Sequence, residues 1–425
     1  MKFLHAADLH LDSPLRGLER YAEAPAEAIR GATRRAFENL VALAIEEAVG
    51  FVLLAGDLYD GDWKDYNTGL FFTGQMARLQ AAGIRVLVIA GNHDAASQIT
   101  KALRPPSNVH LFSTRAPETL ILEPLGVAVH GQGFASRAVT DDLSRAYPPP
   151  RTDLFNIGLL HTSLDGRPGH EPYAPCTLDG LRSRGYQYWA LGHVHQHEIV
   201  AREPWIVFPG ITQGRHARET GPKGCCLVEV ENGQVQGVTH HSLDLVRWTD
   251  CPVDLTDAAT TAEVYDRVSR ALAGVAEGAA GGRLAAVRLR LRGPCAVHAG
   301  LRAEREQVIN ECRALAITQG AADLWVEKVL IETIATQSAA EALARDDAFG
   351  GLLRSLRDLE PNAGGYADLT ADLTADLMDL AAKLPAELRT GEDPFDPLAP
   401  QFLHDCLDDV KDLLLARLLN HGGAE

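Results

Sequence analysis

The sequence predicts an α/β protein: a sandwich of two β-sheets flanked by helices, followed by a small α/β domain and a helical C-terminal region. Three observations carry this. Apolar strands alternate with amphipathic helices up to about residue 110. Shorter, strand-rich segments run from about Val109 to Leu245. Helix and strand alternate again over 260–333, after which the pattern is helical. A chain of 425 residues is expected to form more than one domain, and its 46% hydrophobic content is enough to bury a sizeable core.

The elements follow in order. An apolar strand from Lys2 ends at Asp8, and a helix covers about Ala26 to Val49. The strand Phe51-Val52-Leu53-Leu54-Ala55 runs into Gly56-Asp57, and a second helix covers about Tyr66 to Ala82. The strand from Arg85 to Ala90 runs into Gly91-Asn92-His93-Asp94. This βαβαβ order implies parallel strands covered by helices, and ligands of such sheets sit beyond the carboxyl ends of the strands. The three polar strand ends should therefore meet in a loop region. Further strands start at Val127, Phe155, Tyr188, Ile206 and Cys226, the last followed by the hairpin signal Glu231-Asn232-Gly233. We assign them to a second sheet packed on the first.

Past Pro252 the strands from Ala286 to Arg292 and from Asp323 to Val329 belong to a small α/β domain. Arg288, Arg290 and Arg292 share one face there, either as the exposed side of an edge strand or as a phosphate-contacting stripe. Residues 337–425 read as helical, broken near Asn362 and again from Asp393 to Pro400. An Ala-Asp-Leu-Thr repeat at Ala367 and Ala371 puts Leu369, Leu373 and Leu377 on one helix face. The expected domains are 1–250, 251–336 and 337–425.

The net charge of −17 argues against a protein that grips nucleic acid with its whole surface. Residues 1–250 carry 23 basic against 28 acidic side chains, and 251–425 carry 17 against 29, so the acidic excess lies mostly in the C-terminal part. Seven cysteines without a C-x-x-C pair fit a reducing compartment with free thiols. No targeting signal and no membrane-length apolar run is visible, so a cytoplasmic location is expected.

Five clusters carry chemistry: Asp8-Leu9-His10, Gly56-Asp57, Gly91-Asn92-His93-Asp94, His161, and Gly192-His193-Val194-His195. Each lies at the end of an apolar strand. Carboxylate, imidazole and amide oxygen together favour manganese, iron or zinc, and the absence of thiolates argues against a structural zinc knuckle. Asp57 is the carboxylate we expect to bridge two ions. The spacing Asp8/His10, repeated in His193/His195, suits a pair that clamps one ion or splits between neighbours. Two ions about 4 Å apart hold a phosphate oxygen and activate a water. His93, beside Asn92, is the candidate proton donor to the leaving group, with Asp94 orienting its ring.

The ordered set D-x-H, G-D, G-N-H-D, H, G-H-x-H resembles the calcineurin-like metallophosphoesterases. The resemblance implies a sandwich of two sheets flanked by helices. It also implies that Asp8, His10, Asp57 and His195 hold one metal and that Asp57, Asn92, His161 and His193 hold the other. His93 would be the proton donor or transition-state stabiliser. The opening Ala6-Ala7-Asp8-Leu9-His10-Leu11-Asp12-Ser13-Pro14-Leu15-Arg16-Gly17-Leu18 resembles the bacterial YhaO-type branch, close to the SbcD exonuclease subunits of DNA repair. Pro209 to Arg215 and Lys223-Gly224 also resemble that group. There a catalytic domain is followed by a small capping domain and a helical segment that docks on a coiled-coil ATPase of the SMC type.

The resulting expectation is a manganese-dependent DNA nuclease subunit with two divalent ions, DNA as substrate and an ATPase partner. A homodimer is left open. Two alternatives stand beside it: a phosphodiesterase or phosphomonoesterase for nucleotides or small metabolites, and a partner-binding subunit of an ATPase complex with weak activity alone. Arg215 and His216 are the candidate phosphate contacts, weighed against a solvated loop. His5, His130, His170, His197, His240 and His241 are read as structural or surface residues. Asp60, Asp62 and Asp65 are read as a solvated turn and helix cap.

Overall fold

The computed structural model describes residues 1–13, 25–60, 66–96, 106–166, 172–278, 283–318, 323–335, 346–357, 377–384, 395–399, 402, 406 and 410. The expected helix face at Leu369 and Leu373, His170, Asp62 and Asp65 lie outside them. The strands, in chain order, are β1 (Lys2–Ala6), β2 (Phe51–Leu54), β3 (Arg85–Val88), β4 (Val109–Leu111), β5 (Glu118–Leu122), β6 (Val127–Gly131), β7 (Phe155–His161), β8 (Tyr188–Gly192), β9 (Glu198–Arg202), β10 (Trp205–Phe208), β11 (Gly224–Glu231), β12 (Gln234–Ser242), β13 (Val246–Asp254), β14 (Leu284–Cys295) and β15 (Leu324–Ala335). Three helices matter for the site: α1 (Ala26–Glu46), α2 (Tyr66–Ala81) and α3 (Asn92–Ala96).

Two compact units are formed, one from Met1–Asp250, Val275–Val287 and Ala322–Glu327, the other from Cys251–Gly274, Arg288–Ala321 and Lys328–Glu425. The first unit holds two six-stranded sheets, ordered β12-β11-β1-β2-β3-β4 and β5-β6-β7-β8-β10-β9. Period-two alternation builds its layers. Leu4, Ala6, Val52, Leu54, Val86 and Val88 face the α1 and α2 residues Phe37, Leu40, Val41, Phe72 and Met76. Their neighbours Phe3, Phe51, Leu53, Leu87 and Ile89 face Val127, Val129, Ile157, Leu159 and Val207 of the second sheet. The outer side of that sheet buries Leu160, Trp189, Leu191 and Phe208 with Tyr147 and Tyr186. Strands covered on both sides have no polar face, which is why they read as unbroken apolar runs. This is the mixed α/β architecture with two multi-stranded sheets flanked by helices that the sequence predicts.

Three expectations are corrected. First, β11 belongs to the first sheet, not the second. It pairs antiparallel with β1, with Phe3 opposite Val228, and so covers the side of β1 not taken by β2. An apolar run buried on both faces looks the same in either sheet, so its composition could not assign it. The hairpin itself forms where expected: Asn232 and Gly233 have φ of 50° and 73°, as a two-residue turn of the favoured hand requires. Second, the strand bearing Arg288, Arg290 and Arg292 is not an edge strand. The third sheet runs β13-β14-β15, with β14 in the middle. Arg290 and Arg292 bind the two oxygens of Glu332 at 2.6 and 2.8 Å. Third, the G-N-H-D cluster is not wholly in a loop: Gly91 precedes the short α3, and Asn92, His93 and Asp94 form its first turn.

The second unit contains the helices His298–Ala303 and Arg305–Thr318, with Leu301, Val308 and Cys312 buried, and the helix Ala348–Arg357. All seven cysteines are free. Among the described residues no helix is long and apolar enough to cross a membrane.

Candidate metal centre

Strand pairing delivers the motif residues to one place. β1, β2 and β3 run parallel, and their pairing continues past the strand ends: the Asp8 N–H donates to Gly56 O and the His10 N–H to Asp57 O, both at 3.0 Å. In the second sheet, His161 at the end of β7 pairs with Gly192 at the end of β8. The backbone then turns sharply at the functional residues. Asp8, His10, Asp57 and His193 have φ of 53°, 40°, 54° and 97°. Left-handed non-glycine residues cost about 1–3 kcal/mol each and cluster at functional sites.

The motif glycines bring the two sheets into backbone contact. A Cβ on Gly192 would overlap Ala55 O, across from the other sheet. A Cβ on Gly91 would overlap Asp57 Oδ1, and one on Gly56 would collide with His161 Nδ1. Glycine in G-D, G-N-H-D and G-H-x-H is therefore required by close approach.

The side chains form adjoining groups. Asp8, His10 and His195 present ligand atoms that all lie within 4.8 Å of one another, and so do Asp57, His161 and His193. Asp57 stands between the groups: its Oδ2 is 3.9 Å from His10 Nε2 and 3.5 Å from His161 Nε2, while its Oδ1 accepts the His93 N–H at 2.9 Å. Both oxygens of Asp8 accept the His193 N–H, at 3.2 and 3.0 Å. Asn92 joins through its Oδ1, 3.0 Å from His161 Nε2. All seven side chains singled out as ligands thus converge.

Their chemistry asks for cations. His161 Nδ1–H donates to Ala55 O at 2.8 Å, so the Nε2 of a neutral ring is a bare acceptor. It faces the Asn92 and Asp57 oxygens, which call for positive charge there, either a bound cation or a second ring proton; burial opposes that proton, but Asp57 and Asp8 raise the pKa of the ring to about 9. His10 is fully buried with no hydrogen-bond partner for either ring nitrogen. Such orphans are rare in native proteins and call for a partner such as an ion. Burial pushes the Asp8 carboxyl up to about 6. Burial also opposes ionisation of Asp57, but the imidazoles of His161, His93 and His10 outweigh it and hold that carboxyl well below the usual range.

His93 lies beside this set, its ring 4.8 Å from that of His10. Its Nδ1 meets Asp60 Oδ1 at 2.7 Å, and the other Asp60 oxygen accepts Ser13 Oγ–H at 2.6 Å. Asp60 is therefore part of the site and not a solvated turn. It takes the orienting place expected of Asp94, whose carboxylate instead accepts the backbone N–H groups of Leu58, Tyr59 and Gly91 at 2.9, 3.1 and 3.0 Å. Asp94 fixes the loop between Asp57 and α3. Burial opposes charge on His93, but Asp60 and Asp57 prevail and raise its pKa.

Arg215 comes to the same place, 3.7 Å from Asp60 Oδ2 and 3.7 Å from Glu219 Oε1, and is buried, whereas His216 is about one-third exposed and 3.6 Å from Glu219. The sequence reading missed Glu219. It is the single acid closing the basic run Arg215-His216-Ala217-Arg218, and that isolation was the available signal. Asp12 stays outside the site, bound by Arg34 and Thr68. His5 is a core residue between Tyr188 Oη and Leu191 O, both at 3.0 Å.

Residues 1–197 match the family model for calcineurin-like phosphoesterases, and residues 248–334 match the middle domain of the metallophosphoesterase YhaO. The chain is 37% identical over 272 residues to the uncharacterized metallophosphoesterase YhaO of Bacillus subtilis, covering 63% of this chain and 66% of that one. It is 26% identical over 282 residues to the DNA double-strand break repair protein Mre11 of Methanopyrus kandleri, covering 59% and 58%. The alignments thus span about six-tenths of these relatives' lengths. Among solved structures, a dimetal phosphatase from Danio rerio aligns at a TM-score of 0.33 and 12% identity, over 55% of this chain and 93% of that one. Residues 1–197 form a calcineurin-like phosphoesterase domain with candidate metal-binding groups at its strand ends, and the chain is homologous to YhaO and Mre11.

Proposed function

We propose that this chain is a two-metal phosphodiesterase that cuts DNA with manganese, as a nuclease subunit in cytoplasmic DNA repair. One observation carries the reading: Asp57 links two adjoining ligand groups drawn from both sheets. In this reading Asp8, His10, Asp57 and His195 hold one ion, and Asp57, Asn92, His161 and His193 hold the other. The buried, unpartnered ring nitrogens of His10 and the facing acceptors of His161 and Asn92 suit such ions. When bound, the pair supplies Lewis acidity for a phosphate oxygen and a water acidic enough to attack.

The protein's own groups do the rest. His93 engages Asp60 through Nδ1, which leaves Nε2 as the atom that passes a proton to the departing sugar oxygen. Asp60 keeps that ring in place and favours its charged form. Arg215 and His216 are the side chains we assign to the flanking phosphate. Residues 251–336 would cap the site and 337–425 would dock a coiled-coil ATPase, as the resemblance to the SbcD group suggests. DNA as substrate is supported by the similarity to the DNA double-strand break repair protein Mre11 of Methanopyrus kandleri. A second reading, hydrolysis of nucleotides or small phosphodiesters, is favoured by the net charge of −17.

The test is digestion of linear plasmid by the full chain with manganese, run beside a chromogenic phosphodiester. DNA loss together with ester cleavage is expected. Ester cleavage with intact DNA would move the assignment to the second reading. Asp57→Asn should lose both metal occupancy and turnover, by at least about 10²-fold in kcat. Undiminished turnover in that variant would end the two-metal reading.

A further inference from the structure

Among the ligand imidazoles, His195 has an arrangement of its own. Its Nδ1 lies 2.6 Å from Glu219 Oε1. Glu219 is buried, 6% exposed, and stands 24 residues further along the chain, on the loop between β10 and β11. A carboxylate only accepts, so the ring must donate from Nδ1, and Nε2 is then the nitrogen that keeps its lone pair. Glu219 is itself anchored: its Oε2 accepts the Arg215 N–H at 2.6 Å, and its own N–H donates to His216 O at 2.9 Å.

The rest of the loop grips the same residue. Lys223 Nζ donates to His195 O at 3.3 Å and approaches Gln196 Oε1 at 3.4 Å, and the Ile211 N–H donates to His195 O at 3.2 Å. One stretch of chain therefore holds His195 by ring and by carbonyl. None of these groups belongs to the ligand set.

We propose that Glu219 is the positioning residue of His195: it fixes the tautomer and the ring plane so that Nε2 is presented to the Asp8/His10 group. The proposal rests on the two-metal reading. It assigns the loop between β10 and β11 the task of tuning one of two ion positions and leaving the other alone. Carboxylates that orient a ligating histidine typically change metal affinity by about 10–100-fold.

The experiment uses the full chain. In chelator-treated wild-type protein with labelled histidine, long-range nitrogen–proton correlation should show His195 protonated at Nδ1. Protonation at Nε2 would overturn the proposal without any variant. Calorimetric titration with manganese should show two uptake steps in the wild type. In Glu219→Gln, which keeps the side-chain volume, one step should weaken about 10–100-fold and the other stay unchanged. In a His195→Ala background the same change should have no further effect on uptake. Equal weakening of both steps, an unchanged titration, or an added loss in the His195→Ala background each contradicts the assignment. Wild-type protein that binds no manganese would sink the two-metal reading and this proposal with it. Two normal steps in wild type and variant alike would sink only the proposal.

Discussion

Asp60 lies three residues past Asp57, and its carboxylate receives His93 Nδ1 at 2.7 Å with Ser13 on its other oxygen. If His93 is the proton donor, Asp60 acts through it. Asp60→Asn should lower kcat on a phosphodiester by about 10²-fold with little change in KM. Adding Asp60→Asn to His93→Ala should cost nothing more, because residues acting as a unit are not additive. Losses that multiply would show that Asp60 has another role. The convergence of the seven side chains proposed as ligands was legible in the sequence because each follows an apolar strand, so the pairing of the strands brings them together. The places of Asp60 and Glu219 were not. Asp60 depends on the turn after β2 aiming it inward, and Glu219 on a loop whose path no periodicity records. Asp94 was misread for the same reason, since adjacency in sequence suggested a contact that the first turn of α3 directs elsewhere.

At the level of elements, β7 and β8 show how a strand position can be fixed by one missing side chain. A Cβ on Gly158 would overlap the six-membered ring of Trp189, which is fully buried and donates Nε1–H to Leu181 O at 3.2 Å. Gly158→Ala should destabilise the fold by about 1–3 kcal/mol in a denaturant titration. If the cause is this overlap, Gly158→Ala with Trp189→Leu should be less destabilised than the sum of the single changes. Strict additivity would remove the steric explanation. The glycine was visible within an apolar run, but its reason was not, because the clash is with Trp189 on a strand 31 residues further along the chain. The strands named from the sequence were readable from their residues, whereas β4, β5, β9 and β13 were not named. Sheet membership was not readable, as β11 shows, nor was edge or centre, as β14 shows, since both are decided by pairing over long sequence separation.

For the whole molecule, acid sensitivity follows from buried histidines. Burial pushes His5 down to about 3, opposed by its bond to Leu191 O and helped by the nearby His197. His240, stacked on His197 with centroids 4.6 Å apart, is pushed down to about 4, again mainly by burial. A histidine with a lowered pKa stays neutral in the native state while the unfolded chain takes up a proton below about 6.5. Stability from His5 is therefore complete above about 6.5 and is lost as pH falls toward 3, on the order of 5 kcal/mol in all. Denaturant titrations of chelator-treated protein at stepped pH would show this slope. His5→Gln can still accept from Tyr188 and donate to Leu191, so it should flatten the slope between about 6.5 and 4. An equal slope in the variant would place the sensitivity elsewhere.

The pairing of β1 with β11 also bears on the order in which the protein can be made. Asp8 and His10 are synthesised well before β11, so their strand has one side covered only when residues 224–231 arrive. Until then a nascent chain carries an apolar strand with an open flank, the kind of edge that recruits foreign strands. The centre cannot be assembled piecemeal as the ribosome advances. A chaperone that shields the growing chain would be needed most over the interval between the emergence of β3 and that of β11.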